Sequence, residues 1–237
     1  MNRSSLPAFA CIAAASIFLF LAACSYRHQI DNPVTWKLTW YSYIDGEDIR
    51  GSCVPGAPLH YRFIYNADYE RHVRSYTFID DDQGGAYVIS RATTGSGIDI
   101  TAFSFEDPFA IGGKWARSER RLSPAELAAF RKSLTASGAF QEPDVGLRVY
   151  SNQYYWVAAL CDEGRFYFNA WLYPSPAFER FEIPKALYAF DETSVVPPEP
   201  IRVPSAARIR GDRRGEKPNS VFEMRVGEEG FVGGPLL

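Results

Sequence analysis

Asp80, Asp81 and Asp82, followed by Gln83-Gly84-Gly85, form a dense group of chemically capable side chains. Oxygen ligands so closely spaced before a glycine are what a calcium loop requires. Placing Asp80 at the first position of such a loop puts Gly85 at the sixth, as needed. It also puts Arg91 at the twelfth, where a bidentate glutamate belongs. The run therefore reads first as a solvated hairpin turn, in which aspartate and glycine serve a tight backbone. A second chemistry open to these acids is hydrolysis by paired carboxylates, with Asp82, Asp99 and Glu106 as candidates. Their spacing does not specifically demand it.

Other catalytic patterns fail on their own terms. In "AIGGKWARS" the first glycine of a phosphate loop would fall at Pro108, and Lys114 precedes Trp115 instead of Ser or Thr. "GSG" at 95–97 lacks the third glycine of a dinucleotide fingerprint, and a β-branched run follows where a helix is required. Neither GxSxG nor HExxH occurs. The three histidines are His28, His60 and His72, too few and too scattered for a triad or a multi-histidine metal site. The reading is of a chain with no cofactor and no metal.

The cysteines direct attention to the N-terminus. Behind Met1, Asn2 and Arg3, the residues from Ala8 to Ala23 are apolar or small except Ser16, and carry no charge. At about 1.5 Å per residue such a helix spans roughly 24 Å, short for a membrane crossing, so the run reads as an export signal. It closes on Leu21-Ala22-Ala23-Cys24, which resembles the lipobox of bacterial lipoproteins. The resemblance covers residues 1–24. It implies that Cys24 is lipidated and becomes the first mature residue, and that Ser25 favours the outer membrane over the inner. An uncleaved signal anchor is the alternative. Cys11 lies inside the signal, leaving Cys53 and Cys161 to form one disulfide or to remain two buried thiols.

These residues must be positioned by the elements that follow. Residues 24–35 read as a tether. "TWKLTWYSYI" (35–44), "LHYRFIYN" (59–66), "VRSYTFID" (73–80), "AYVISRAT" (86–93) and "IDITAFSF" (98–105) carry aromatic and β-branched residues in strand-like alternation. Ser123-Pro124-Ala125-Glu126 is a capping box opening a helix over about 124–137, with Leu127, Phe130 and Leu134 on one face. "LRVYSNQYYWVAAL" and "RFYFNAWLY" flank Asp162-Glu163-Gly164 as a hairpin, and Ser175-Pro176 opens a possible second helix over about 176–190. Strands, helix, strands, helix predict an α+β domain over 36–196, mainly antiparallel sheet with helices on one face.

Alternation along the hairpin leaves some aromatics facing outward, with Tyr155, Trp156, Phe168 and Trp171 as a possible binding surface; the alternative is that both faces are covered. Beyond "VVPPEPIRVP", Arg208, Arg210, Arg213 and Arg214 lie in a basic, weakly structured tail (197–237), suited to anionic head groups or cell-wall polymer, or simply solvated. The formal net charge of −3 does not point to nucleic acid. The expectation is a lipid-anchored, periplasm-facing envelope protein, held to the membrane by its N-terminal lipid, that binds an envelope protein or cell-wall polymer. A carboxylate-dependent envelope hydrolase is the competing class.

Overall fold

The computed structural model describes residues 40–69, 71–94, 115–204 and 223–232. Its elements are α1 (Trp40–Asp45), α2 (Glu47–Ser52), β1 (His60–Ala67), β2 (Val73–Asp80), β3 (Ala86–Thr93), β4 (Trp115–Leu122), α3 (Pro124–Ala136), β5 (Arg148–Tyr150), β6 (Tyr154–Asp162), β7 (Arg165–Leu172), α4 (Pro176–Arg180), α5 (Ile183–Phe190), β8 (Glu223–Val226) and β9 (Phe231–Val232). The fold is α+β and dominated by sheet. Six antiparallel strands lie in the order β4-β3-β2-β1-β6-β7, and a smaller sheet has the order β5-β8-β9. None of the described helices is long and apolar enough to cross a membrane.

The large sheet is buried on both faces along β1 and β6. Tyr61, Phe63 and Tyr65 of β1 point toward α3 and α5, where they join Phe78, Phe130, Leu134, Trp156 and Leu187. The Phe78 and Phe130 rings stack at 4.7 Å. Ile64, Val157 and Phe168 point the other way, into a second core with Ile44, Ile49, Val149, Met224 and Phe231. The result is three layers, with helices on one side of the sheet and the small sheet with α1 and α2 on the other.

The helix beginning at Pro124 forms for the reasons its sequence supplies. Ser123 Oγ accepts from the Glu126 N–H at 3.3 Å, and Glu126 Oε2 accepts from the Ser123 N–H at 2.9 Å. The helix anticipated over 176–190 forms as two pieces. The Pro184 ring would meet the carbonyl of Arg180 four residues back, so α4 ends at Arg180 and the proline opens α5 instead.

Three segments depart from expectation. The stretch 35–44, read as a strand, is helical from Trp40 onward. Tyr43, Ile44 and Ile49 bury against the sheet, and packing overrides a β-propensity that is itself mostly packing. Gly46, at φ 68°, turns the chain between α1 and α2, and a Cβ there would lie 2.3 Å from the Ala159 Cβ. "WARSERRL", with no apolar alternation, is the edge strand β4, recruited by pairing with β3. Residues 223–232, read as part of a weakly structured tail, form β8 and β9. There the Phe231 N–H donates to the buried Asp45 carboxylate. The stretch 98–105 lies outside the described residues.

Candidate functional site

The hairpin β6–β7 is a built feature, not an exposed platform. Glu163 and Gly164 occupy its two-residue turn with φ of 51° and 75°, the left-handed pair of a type I′ turn. Gly164 is also pressed by the 54–55 backbone, where a Cβ would lie 2.5 Å from the Val54 carbonyl oxygen. Nearby, Cys53 and Cys161 form a disulfide, with Cα atoms 5.5 Å apart and 108 residues of separation. Of the two readings of these aromatics, the covered one holds. Tyr155 and Phe168 belong to one core, Trp156 and Trp171 to the other, and none is more than 7% exposed. Alternation was right, but both faces are covered.

The acidic run is a turn. Asp80 Oδ1 accepts the Asp82 N–H at 2.7 Å, and Asp81 Oδ1 accepts those of Gln83 and Gly85 at 2.9 and 2.8 Å. Desolvation works against charge on Asp81, yet these amides and Arg121 hold its carboxyl below the usual value. Asp82 itself adopts φ 59° at the tip. Among the described residues no three His, Cys, Asp or Glu side chains converge as metal ligands would. Cys24, Asp99, Glu106, Arg208, Arg210, Arg213 and Arg214 lie outside the described residues.

A buried polar network, not anticipated from sequence, crosses the helix-covered face. Arg74 of β2 pairs with Asp191 just past α5, their side chains 2% and 3% exposed. Tyr76 donates to the same carboxylate at 2.8 Å, and Thr193 donates to its other oxygen through N–H and hydroxyl at 2.8 and 2.6 Å. Arg74 also donates to the Val195 carbonyl, and Tyr65 to that of Pro198 at 3.0 Å. The network straps residues 191–198 over the sheet. On the opposite face Arg62 forks onto Asp48 with two bonds of 2.7 Å, its guanidinium 3.7 Å from the Tyr43 ring centroid. Both arginines are consumed by the fold.

Among the described residues, a groove of about 630 Å³ opens beside β7. Its floor is the edge segment Asn169-Ala170-Trp171-Leu172. One wall is the end of α3 and the loop beyond it, including Ser137, Glu142 and Asp144; the other is Ser175 to Arg180 at α4. Arg131 holds α3 to the hairpin through Asp162 and Glu163 at 2.8 and 2.9 Å. Asn169 Nδ2 ties down the following loop by donating to the Ala139 and Gln141 carbonyls at 3.1 and 3.0 Å. Ser175 caps α4 by accepting from the Phe178 N–H at 3.1 Å. The sequence held one signal of this place: Asn169, a lone amide in the apolar run "FYFNAWL". Of the four aromatics singled out from sequence, Trp171 reaches the groove.

Compared with known proteins, the chain matches no family model and no curated sequence.

Proposed function

We propose that this chain is a lipid-anchored, periplasm-facing envelope protein of the outer membrane, acting as a non-catalytic binding or accessory module. The observation that carries the reading is the pairing of Cys53 with Cys161 in a chain whose start ends on Leu21-Ala22-Ala23-Cys24. A structural disulfide belongs to an oxidising compartment. A lipobox-like signal supplies the route to it and leaves Cys24 to carry the acyl chains, two or more of which anchor stably.

Binding, as opposed to turnover, is supported by the groove. Its carboxylates stand at the rim, and the Glu142 side chain is 90% exposed. A carboxyl acid catalyst is usually enclosed, because burial is what raises its affinity for the proton. Asp82, the one described residue among the hydrolase candidates, sits at the tip of a hairpin turn. An envelope protein or cell-wall polymer is the class of partner.

The test is the intact mass of membrane-extracted protein, before and after reduction and alkylation. The expected mass begins at Cys24 plus acyl groups, with two thiols appearing only on reduction. A chain retaining residues 1–23, or one that lacks lipid, sinks the anchored reading.

A further inference from the structure

The two edges of the large sheet are guarded differently. β4 carries Arg117, Glu119, Arg120 and Arg121, and Arg117 pairs with Glu119 along the strand. Charge on an edge discourages the addition of another strand. β7, at the other edge, has no charged residue after Arg165.

Which backbone groups of β7 face outward follows from its turn. In a two-residue hairpin the flanking residues, Asp162 and Arg165, form a hydrogen-bonded pair, and bonded pairs then alternate along the ladder. Tyr167, Asn169 and Trp171 thus bond toward β6, and Tyr173 continues the series by donating to the Tyr154 carbonyl at 2.8 Å. Ala170 and Leu172 point their N–H and C=O groups away from the sheet, into the groove. Among the described residues no backbone hydrogen bond reaches them.

The groove also sets the size of what could pair there. The loop after α3 is fastened at Asn169, and α4 begins just beyond the strand's end. The open floor of Asn169 to Leu172 is roughly 13 Å long at strand spacing. Walls at both ends leave room for one short extended segment, not for the edge of a second sheet. Glu142 and Asp144 line one wall and Arg180 the other, and Arg180 makes no ion pair among the described residues.

We propose that this groove binds a short extended peptide as an added strand on β7. Its main chain bonds to Ala170 and Leu172, and an acidic group on it meets Arg180. The proposal rests on the binding reading above, names the class of its occupant, and does not depend on the lipid at Cys24.

The experiment uses the full chain in detergent and random linear heptapeptides displayed on phage. An enriched sequence is made synthetically and its binding measured by fluorescence anisotropy. Expected are at least tenfold weaker binding to Ala170→Pro, several-fold weaker binding to Arg180→Glu, and slowed hydrogen exchange at the Ala170 and Leu172 amides in the complex. Proline at an outward edge position removes that one donor and keeps the ladder to β6. Should Ala170→Pro fail to fold, N-methylation of the peptide reads the same bonds on the unaltered chain. Methylation at one alternate set of residues should abolish binding, and at the other set spare it. Failure to enrich any sequence, binding indifferent to N-methylation, amides of Ala170 and Leu172 already protected in the free chain, or a dimer joined through β7 would each overturn the proposal. Loss of the lipid would leave these results unmoved, and failure of peptide binding would leave the mass unmoved.

Discussion

His72 stands just before β2 with its ring 6.4 Å from that of Tyr65, and Arg74 Nε donates toward its Nε2 at 3.5 Å. Burial chiefly, then the Arg74 charge, lowers its pKa from 6.5 to about 4, against a smaller opposite pull from Asp191. The imidazole is therefore neutral in the folded chain, as an acceptor for Arg74 must be. Between pH 6.5 and 4 the unfolded chain takes up a proton that the folded chain refuses, so stability falls as pH falls through that window. The contribution amounts to roughly 2–3 kcal/mol. Urea melts from pH 7 to 4 should show His72→Gln losing less stability than the unaltered chain over this range; equal slopes would remove His72 as the cause.

At the scale of elements, the strap over the helix-covered face depends on one ion pair. Asp191→Asn leaves Arg74 buried without its counter-charge, which typically costs about 3–5 kcal/mol. The carbonyls of Val195 and Pro198 depend on the same register, so limited proteolysis should cut residues 195–203 faster in this variant. Replacing both partners with apolar residues, as in Arg74→Met with Asp191→Leu, should recover much of the loss in urea, because no buried charge is then stranded. A double variant as unstable as Asp191→Asn would mean that the strap is held by other contacts.

Across the whole molecule, the disulfide links the segment after α2 to the end of β6, and so ties the layer of α1 and α2 to the large sheet one strand in from its edge. Closing a loop of 108 residues stabilises by roughly 4–5 kcal/mol in the chain-entropy account. The thermal midpoint of the Cys53→Ser, Cys161→Ser variant should fall by roughly 10–20 °C, and reductant should lower that of the unaltered chain to match. A midpoint indifferent to both would show that the layers hold without the bond. The small sheet contributes to the same closure, since Phe231 packs on Phe168 at 5.0 Å between ring centroids.

What the sequence determined by itself was local. The capping box at Ser123, the strands read at 59–66, 73–80 and 86–93, and the hairpin at Glu163-Gly164 were all legible, the first strand within one residue of its bounds. Each depends on neighbours within a few residues, through capping geometry, side-chain alternation or turn conformation. Tertiary structure decided what these local signals leave open. Alternation along β6 and β7 assigns aromatics to two faces but does not say what covers each, so Trp156 and Trp171 proved to be core. The helical start at Trp40 and the return of residues 223–232 as strands follow from long-range burial, which no local pattern encodes. The charged edge strand β4 exists because β3 offers it a ladder. The groove joins the end of α3, β7 and α4, and forms only when the chain brings them together.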